Sequence, residues 1–106
     1  MSANGATPRV SVIVPVFDAG PLLREALDSV AAQTFRDFEI VVVDDGSTDT
    51  ATLAVLAQAE RDPVTTVVRT SNRGPAAARN TAIERSRGAY ILPLDADDTI
   101  APTFLA

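Results

Sequence analysis

Four short runs of mainly β-branched apolar residues recur along the chain, and they constrain its fold more than any other feature. Runs with so little polar alternation are typical of strands that are covered on both faces of a sheet. Segments with helical spacing separate the runs, which predicts the order β-α-β-α-β-α-β and a parallel sheet with helices on both faces. The four runs are Val10 to Phe17, Phe38 to Val43, Val64 to Val68 and Tyr90 to Leu94.

Glycine and proline mark the ends of the three predicted helices. The Gly-Pro pair at residues 20–21 opens the first helix, because proline is favoured at the first helical position. The second is expected to start near residues 47–49 and to stop at residues 62–63. The third spans residues 75–85, and we expect it to close at Gly88 in a left-handed cap that needs no Cβ atom. The apolar face of the first helix comprises Leu22, Leu23, Ala26, Leu27 and Val30.

The residue types that are missing exclude several kinds of chemistry. The 106 residues form at most one domain and contain no Cys, no His and no Lys, so thiol nucleophiles, imidazole or thiolate metal ligands and lysine amines are excluded. A net charge of −5 makes nucleic acid an unsuitable partner, because duplex binding relies on clustered basic residues. We expect a phosphate ligand to require a cation.

Acidic residues follow three of the four predicted strands. Ligands of open parallel sheets bind outside the carboxyl ends of the strands, so this edge is the expected site. Such a cluster repels itself unless protons or a cation neutralise it, and oxygen ligands favour Mg²⁺ or Mn²⁺. Residues 44–49 have an alternative, purely structural role as turn and N-cap residues. Asp18 either caps the first helix or faces the ligand. The acidic residues at this edge are Asp18, Asp44, Asp45, Asp49, Asp95, Asp97 and Asp98.

The segment from Asn72 to Asn80 opens the third predicted helix with a small turn. Helix N-termini present free N–H groups and a positive dipole end, which suit an anion. Arg79, on the second turn, is placed to reach a phosphate or a base, and the alternative is a solvated surface arginine. The G-x-x-x-x-G-K-[ST] motif is missing, and no G-x-G-x-x-G follows the first strand. These absences exclude P-loop NTPases and disfavour a dinucleotide site.

Four motifs, in order and with sensible spacing, resemble those of the family-2 glycosyltransferases. They read V-I-V-P-V-F-D from Val12, D-D-G-S-T-D from Asp44, N-R-G-P-A-A-A-R-N from Asn72 and L-D-A-D-D from Leu94. The resemblance covers about residues 9–106. It implies the N-terminal, nucleotide-diphospho-sugar-binding half of a GT-A fold, which is a Rossmann-like three-layer α/β/α fold with a mostly parallel central sheet. We expect residues 1–8 to be a flexible N-terminus and the fold to be truncated.

The resemblance also implies roles for individual residues. The end of the first strand would line the nucleobase site, and the second Asp of D-D-G-S would contact a uracil-type base. The D-x-D element would bind the ribose and the Mg²⁺ or Mn²⁺ ion that bridges the diphosphate. The family usually has Asn where this chain has Asp18, which adds a negative charge near the site. The nucleotide-binding positions are matched by Pro15, Val16, Phe17, Asp45, Arg79 and Asp95, and the metal-binding positions by Asp97 and Asp98.

The activity implied by the resemblance is inverting transfer of a sugar from a nucleoside-diphosphate sugar, with a UDP-sugar favoured, to a hydroxyl of a glycan, lipid or other acceptor. The metal would act as a Lewis acid on the leaving diphosphate. The catalytic base is expected beyond Ala106, so this chain alone is expected to be inactive. The alternative is a non-catalytic nucleotide-binding or regulatory α/β module, although a phosphoacceptor receiver domain would depend on a Lys that this chain lacks.

We expect no secretory signal in the N-terminal stretch, since residues 1–8 have neither a basic nor an apolar region. No apolar run approaches the roughly 18 residues that a membrane span needs. We therefore expect a cytoplasmic domain without a membrane span, or one peripheral to a membrane in a longer protein.

Overall fold

The computed structural model describes residues 7–96, which form a four-stranded sheet with helices on both faces. The elements alternate in the predicted order and confirm the α/β class. The strands are β1 (Val10–Val16), β2 (Phe38–Asp44), β3 (Thr65–Arg69) and β4 (Tyr90–Pro93), and the helices are α1 (Pro21–Ala31), α2 (Thr50–Ala59) and α3 (Pro75–Arg85).

The sheet has the strand order β3-β2-β1-β4, and every pairing within residues 7–96 is parallel. The chain moves outward from β1 to β2 and β3, then crosses back to place β4 on the other side of β1. Strand order therefore reverses between β1 and β4. In open parallel sheets a crevice forms outside the carboxyl ends of the strands at such a reversal.

The two faces of the sheet pack against different helices. The side chains of Val12, Val14 and Val16 lie in the core cluster that also contains buried residues of α1 and α2. The opposite face of β1 and β2 packs against Ala78 and Ala82 of α3. These small side chains allow α3 to approach the sheet closely. The three-layer α/β/α arrangement of the sequence prediction is confirmed, and β1 and β2 are covered on both faces.

The helices begin where the sequence predicts. Pro21 and Pro75 occupy the first position of α1 and α3, and each follows a glycine with positive φ, 63° at Gly20 and 101° at Gly74. Helix α2 is capped by Asp49, whose carboxylate accepts the backbone N–H of the third residue of the helix. None of the helices in residues 7–96 combines the length and the apolarity that crossing a membrane requires.

Gly88 does not form the left-handed cap that the sequence analysis predicts. Helix α3 ends at Arg85, and the C-cap residue Ser86 is extended, with φ −77° and ψ 144°. A Cβ atom on Gly88 would lie 2.6 Å from both the backbone nitrogen and the Oγ of Ser11. Glycine is therefore required at residue 88 by the close approach of the α3–β4 connection to β1.

A buried polar network holds this connection at the end of the sheet where the strands begin. Glu39, which is 5% exposed, accepts a hydrogen bond from Ser11 Oγ at 2.5 Å and one from the backbone N–H of Arg87 at 2.6 Å. Ser11 Oγ in turn accepts the N–H of Gly88 at 2.8 Å. Ser11 and Glu39 are register partners on neighbouring strands. The buried carboxylate is thus satisfied by donors within the chain.

Candidate functional site

A cavity of about 610 Å³ lies at the carboxyl ends of β1 and β4, beside the start of α3. This is the edge at which strand order reverses, and the volume is typical of small-molecule sites, which range from about 300 to 1,000 Å³. All six residues predicted to bind nucleotide line this one cavity. They are Pro15, Val16, Phe17, Asp45, Arg79 and Asp95.

The end of β1 supplies an apolar wall. Phe17 keeps 52% of its surface exposed, and Leu22 of α1 keeps 46%. An aromatic ring exposed at a cavity offers a flat apolar face to a ligand. The sequence analysis places Leu22 on the apolar core face of its helix, and this prediction is wrong. Leu22 belongs to the first turn of α1, is exposed and borders the cavity.

Asp45 holds the start of α3. Its side chain is nearly fully buried, and its Oδ1 and Oδ2 atoms accept the backbone N–H groups of Arg73 at 2.8 Å and Gly74 at 2.9 Å. Gly46, with φ 83°, brings the D-D-G-S turn so close that a Cβ atom there would lie 2.9 Å from the nitrogen of Asn72. The sequence analysis expects an external anion at this helix start. Within the chain, the anion beside it is the Asp45 carboxylate.

Asp44 and Asp49 have structural roles. Asp44 is buried, accepts the N–H of Ser47 at 3.0 Å through Oδ1, and lies 3.8 Å from the guanidinium of Arg69 through Oδ2. Asp49 accepts the N–H and the hydroxyl of Thr52 at 3.0 and 2.8 Å. Neither lines the cavity. The turn and N-cap alternative therefore describes these two residues.

Asp18 lines the cavity but does not cap α1. Its Oδ1 accepts the backbone N–H groups of Thr48 and Asp49, each at 2.9 Å, and its own N–H donates to Ser47 Oγ at 2.9 Å. The residue at the N-cap of α1 is Gly20, whose N–H donates to a side chain of α2. Asp18 thus joins the connection after β1 to the connection after β2.

Four of the seven acidic side chains predicted at this edge have hydrogen-bond partners within the chain. The four carboxylates that follow β1 and β2 accept hydrogen bonds from backbone N–H groups. Among residues 7–96, no group of three or more acidic, His or Cys side chains is arranged to hold a metal ion. Asp95 is exposed and lines the cavity, so it is placed to contribute one oxygen ligand. The two predicted metal ligands, Asp97 and Asp98, lie outside the described residues.

Arg79 supplies positive charge to the cavity from the second turn of α3. Its side chain is exposed, and no ion pair within residues 7–96 engages it. The other charged side chains of the described lining are Asp18, Asp45 and Asp95. A guanidinium in this position is suited to an anionic group, which it can bind through a planar pair of donors.

Sequence reasoning missed three residues of the lining. Ala19, Leu22 and Ala96 border the cavity. Ala19 and Ala96 each neighbour an Asp at a strand end, so the rule that ligands bind beyond the strand ends would have included them. Leu22 carries no such signal, because its spacing also fits the core face of α1.

Comparison with known proteins identifies relatives of one kind. The family model described as glycosyl transferase family 2 matches residues 11–106. An uncharacterised glycosyltransferase, YibD from Escherichia coli (strain K12), is 37% identical over 98 residues, which are 92% of this chain and 28% of that protein. The chain therefore spans less than a third of that relative's length.

Two solved structures share the fold. The crystal structure of S. aureus TarS in complex with UDP-GlcNAc matches with a TM-score of 0.80 and 37% identity, covering 89% of this chain and 28% of that one. The mannosyltransferase PcManGT from Pyrobaculum calidifontis, in complex with GDP-Man and Mn²⁺, matches with a TM-score of 0.77 and 40% identity, over 90% and 29% of the two chains. The fold is therefore GT-A, and the regulatory-module alternative gains no support from these matches.

Proposed function

The chain belongs to glycosyl transferase family 2, and on that premise we propose that residues 9–106 are the nucleotide-diphospho-sugar-binding half of a glycosyltransferase. The enzyme transfers a sugar from a nucleoside-diphosphate sugar to an acceptor hydroxyl. The observation that carries this proposal is the single cavity of about 610 Å³ that gathers all six predicted nucleotide-binding residues. Further support comes from the similar structures that hold UDP-GlcNAc and GDP-Man.

The nucleobase is assigned to the end of the cavity formed by Pro15, Val16, Phe17 and Asp45. The exposed Phe17 ring offers a stacking surface, which typically contributes about 1–3 kcal/mol per base. Each oxygen of Asp45 accepts one backbone N–H, and an ionised carboxylate has about four acceptor sites. Asp45 therefore retains capacity to accept the imide N–H of a uracil, as in the UDP-sugar that we propose as the donor.

The diphosphate is assigned to two further residues of the lining, Arg79 and Asp95. Arg79 supplies a positive charge, and Asp95 fits a ribose hydroxyl or a cation. A Mg²⁺ or Mn²⁺ ion held by Asp97 and Asp98 would neutralise charge on the leaving nucleoside diphosphate as a Lewis acid. Carboxylate oxygens suit these ions, and one similar structure contains Mn²⁺.

We assign the described lining of the cavity to donor binding and the base of the transfer step to another part of the protein. In our proposal the acceptor hydroxyl attacks with inversion, and the carboxylate that takes its proton comes from beyond Ala106. The 106-residue chain is accordingly expected to bind the nucleotide and to transfer no sugar. Nucleotide binding can therefore be tested on this chain separately from the complete reaction.

A calorimetric titration of UDP with and without Mn²⁺ tests the assignment. We expect UDP to bind with Mn²⁺ present and more weakly without it. Arg79→Ala is expected to weaken UDP binding about tenfold, because a charge-assisted hydrogen bond contributes roughly 1.5–3 kcal/mol. Arg85→Ala is the matched control, since Arg85 is an exposed arginine in the last turn of the same helix and does not line the cavity.

Two results would contradict the proposal. Absence of binding of both UDP and GDP to the unmodified chain would remove the nucleotide site. Equal weakening by Arg79→Ala and Arg85→Ala would show that general surface charge, and not the cavity, attracts the nucleotide.

A further inference from the structure

Asp18 adopts a backbone conformation that few residues tolerate. Its φ of 48° is the only positive φ among the non-glycine residues within 7–96. The left-handed region is disfavoured by the Cβ atom, but Asp and Asn are enriched there because their short polar side chains can bond to nearby backbone. The chain therefore accepts a strained residue immediately after β1, at the wall of the cavity.

This conformation serves a set of hydrogen bonds between two loops. The N–H of Asp18 donates to Ser47 Oγ, and Asp18 Oδ1 accepts the N–H groups of Thr48 and Asp49, all at 2.9 Å. Two residues later, the N–H of Gly20 donates to Thr52 Oγ1 at 2.8 Å. Three hydrogen bonds thus tie the β1–α1 connection to the β2–α2 connection, and a fourth ties it to α2, across about 30 residues of sequence.

The two tied loops carry the residues assigned to the nucleobase. Phe17 immediately precedes Asp18, and Asp45 lies two residues before Ser47 in the D-D-G-S turn. Asp45 is itself anchored to the end of β1, because its N–H donates to the carbonyl of Val16 at 2.8 Å. A change in the spacing of the two loops would move the Phe17 ring relative to the Asp45 carboxylate.

We propose that Asp18 is a positioning residue for nucleobase binding: through Oδ1 it holds the two loops at the separation that the base requires. The proposal rests on the nucleotide site proposed above. Both hydrogen bonds that the Asp18 side chain accepts from the β2–α2 loop end on the same oxygen, Oδ1. The requirement is therefore a side-chain carbonyl oxygen on a residue that accepts positive φ, and the negative charge is dispensable.

Three substitutions separate these requirements. Asp18→Asn keeps the acceptor oxygen and the tolerance of positive φ and removes the charge. Asp18→Gly keeps the backbone conformation and removes the acceptor. Asp18→Ala removes the acceptor and adds backbone strain. Hydrogen exchange of the Thr48 and Asp49 amides, followed by NMR, reports on the tie between the loops, and titration with UDP and Mn²⁺ reports on the site.

We expect Asp18→Asn to keep slow exchange at both amides and to bind UDP within about twofold of the unmodified chain, or more tightly. Asp18→Gly and Asp18→Ala are expected to accelerate exchange at least tenfold and to weaken UDP binding at least fivefold. Asp18→Gly remains informative if Asp18→Ala does not fold, because glycine adopts positive φ freely.

Two outcomes would overturn the proposal. If Asp18→Asn weakens UDP binding as much as Asp18→Gly does, the charge of Asp18 acts on the ligand directly. If Asp18→Gly leaves exchange and binding unchanged, the hydrogen bonds do not position the loops. Failure of the unmodified chain to bind UDP and GDP, with normal protection of both amides, would instead count against the nucleotide site and leave the tie between the loops established.

Discussion

Replacing Asp45 with alanine is expected to destabilise the fold as well as alter the cavity. Its buried carboxylate accepts two N–H groups, at 2.8 and 2.9 Å. Hydrogen bonds to a charged group each contribute about 1.5–3 kcal/mol. Arg73 is exposed and Gly74 half-buried, so water would replace part of what is lost and the lower value applies. For the two bonds together we expect a loss of about 3 kcal/mol in the free energy of unfolding.

Urea denaturation followed by far-UV circular dichroism measures this loss. For a domain of this size, each 1 kcal/mol lowers the melting temperature by about 4–8 °C, so a decrease of at least about 12 °C should accompany it. Asp28→Ala is the control, because Asp28 is exposed on α1 and forms only a surface ion pair with Arg24 at 3.4 Å. That pair is worth less than about 1 kcal/mol. Asp45→Asn should lie between the two, since its amide keeps one acceptor oxygen and turns an NH₂ group toward the second donor.

Equal unfolding free energies for Asp45→Ala and Asp28→Ala would refute this reasoning. Such a result would mean that water replaces the carboxylate as hydrogen-bond partner of the Arg73 and Gly74 N–H groups with no loss of stability. Reduced UDP affinity with unchanged stability would then leave Asp45 with a ligand-binding role alone.

Three other substitutions test contacts away from the cavity. Gly88→Ala should lower the free energy of unfolding by about 1–3 kcal/mol, because a Cβ atom would overlap the backbone of Ser11; an unchanged urea midpoint would contradict the close approach. Glu39→Ala should cost at least about 3 kcal/mol through the loss of its two short hydrogen bonds, from Ser11 and Arg87, and UDP affinity should stay unchanged in calorimetry because Glu39 does not line the cavity. Asp49→Ala should lower the free energy of unfolding by about 1 kcal/mol because α2 loses its N-cap. The melting temperature of Asp49→Asn should stay close to that of the unmodified chain.

Local patterns in the sequence predict the elements well. The Gly-Pro pairs place the first residues of α1 and α3 at Pro21 and Pro75, as found, because these signals depend only on neighbouring residues. Helix α2 ends at Ala59, a few residues before the predicted stop at residues 62–63, because the chain forms a turn ahead of the proline. The rule that ligands bind at strand ends predicts the edge of the sheet at which the cavity lies, whereas the six nucleotide-binding positions came from the resemblance to the family.

The long-range hydrogen bonds of the chain could not be predicted from local sequence patterns. The Asp18 contact with Thr48 spans 30 residues of sequence, and the contact of Gly88 with Ser11 spans 77. Neither spacing leaves a periodic signal. A local pattern shows that Asp and Gly suit a turn, but only the packed chain shows which backbone N–H faces the carboxylate. The backbone partners of these side chains were not predicted for that reason.

The placement of Asp45 has a consequence for how such a site can diverge. One acidic side chain both anchors the loop that starts α3 and borders the cavity. A mutation of this residue that altered base preference would also make the fold less stable to heat. Donor preference is therefore easier to change by mutating neighbours such as Phe17 or Leu22, because their exposed side chains contribute little to the packing of the core.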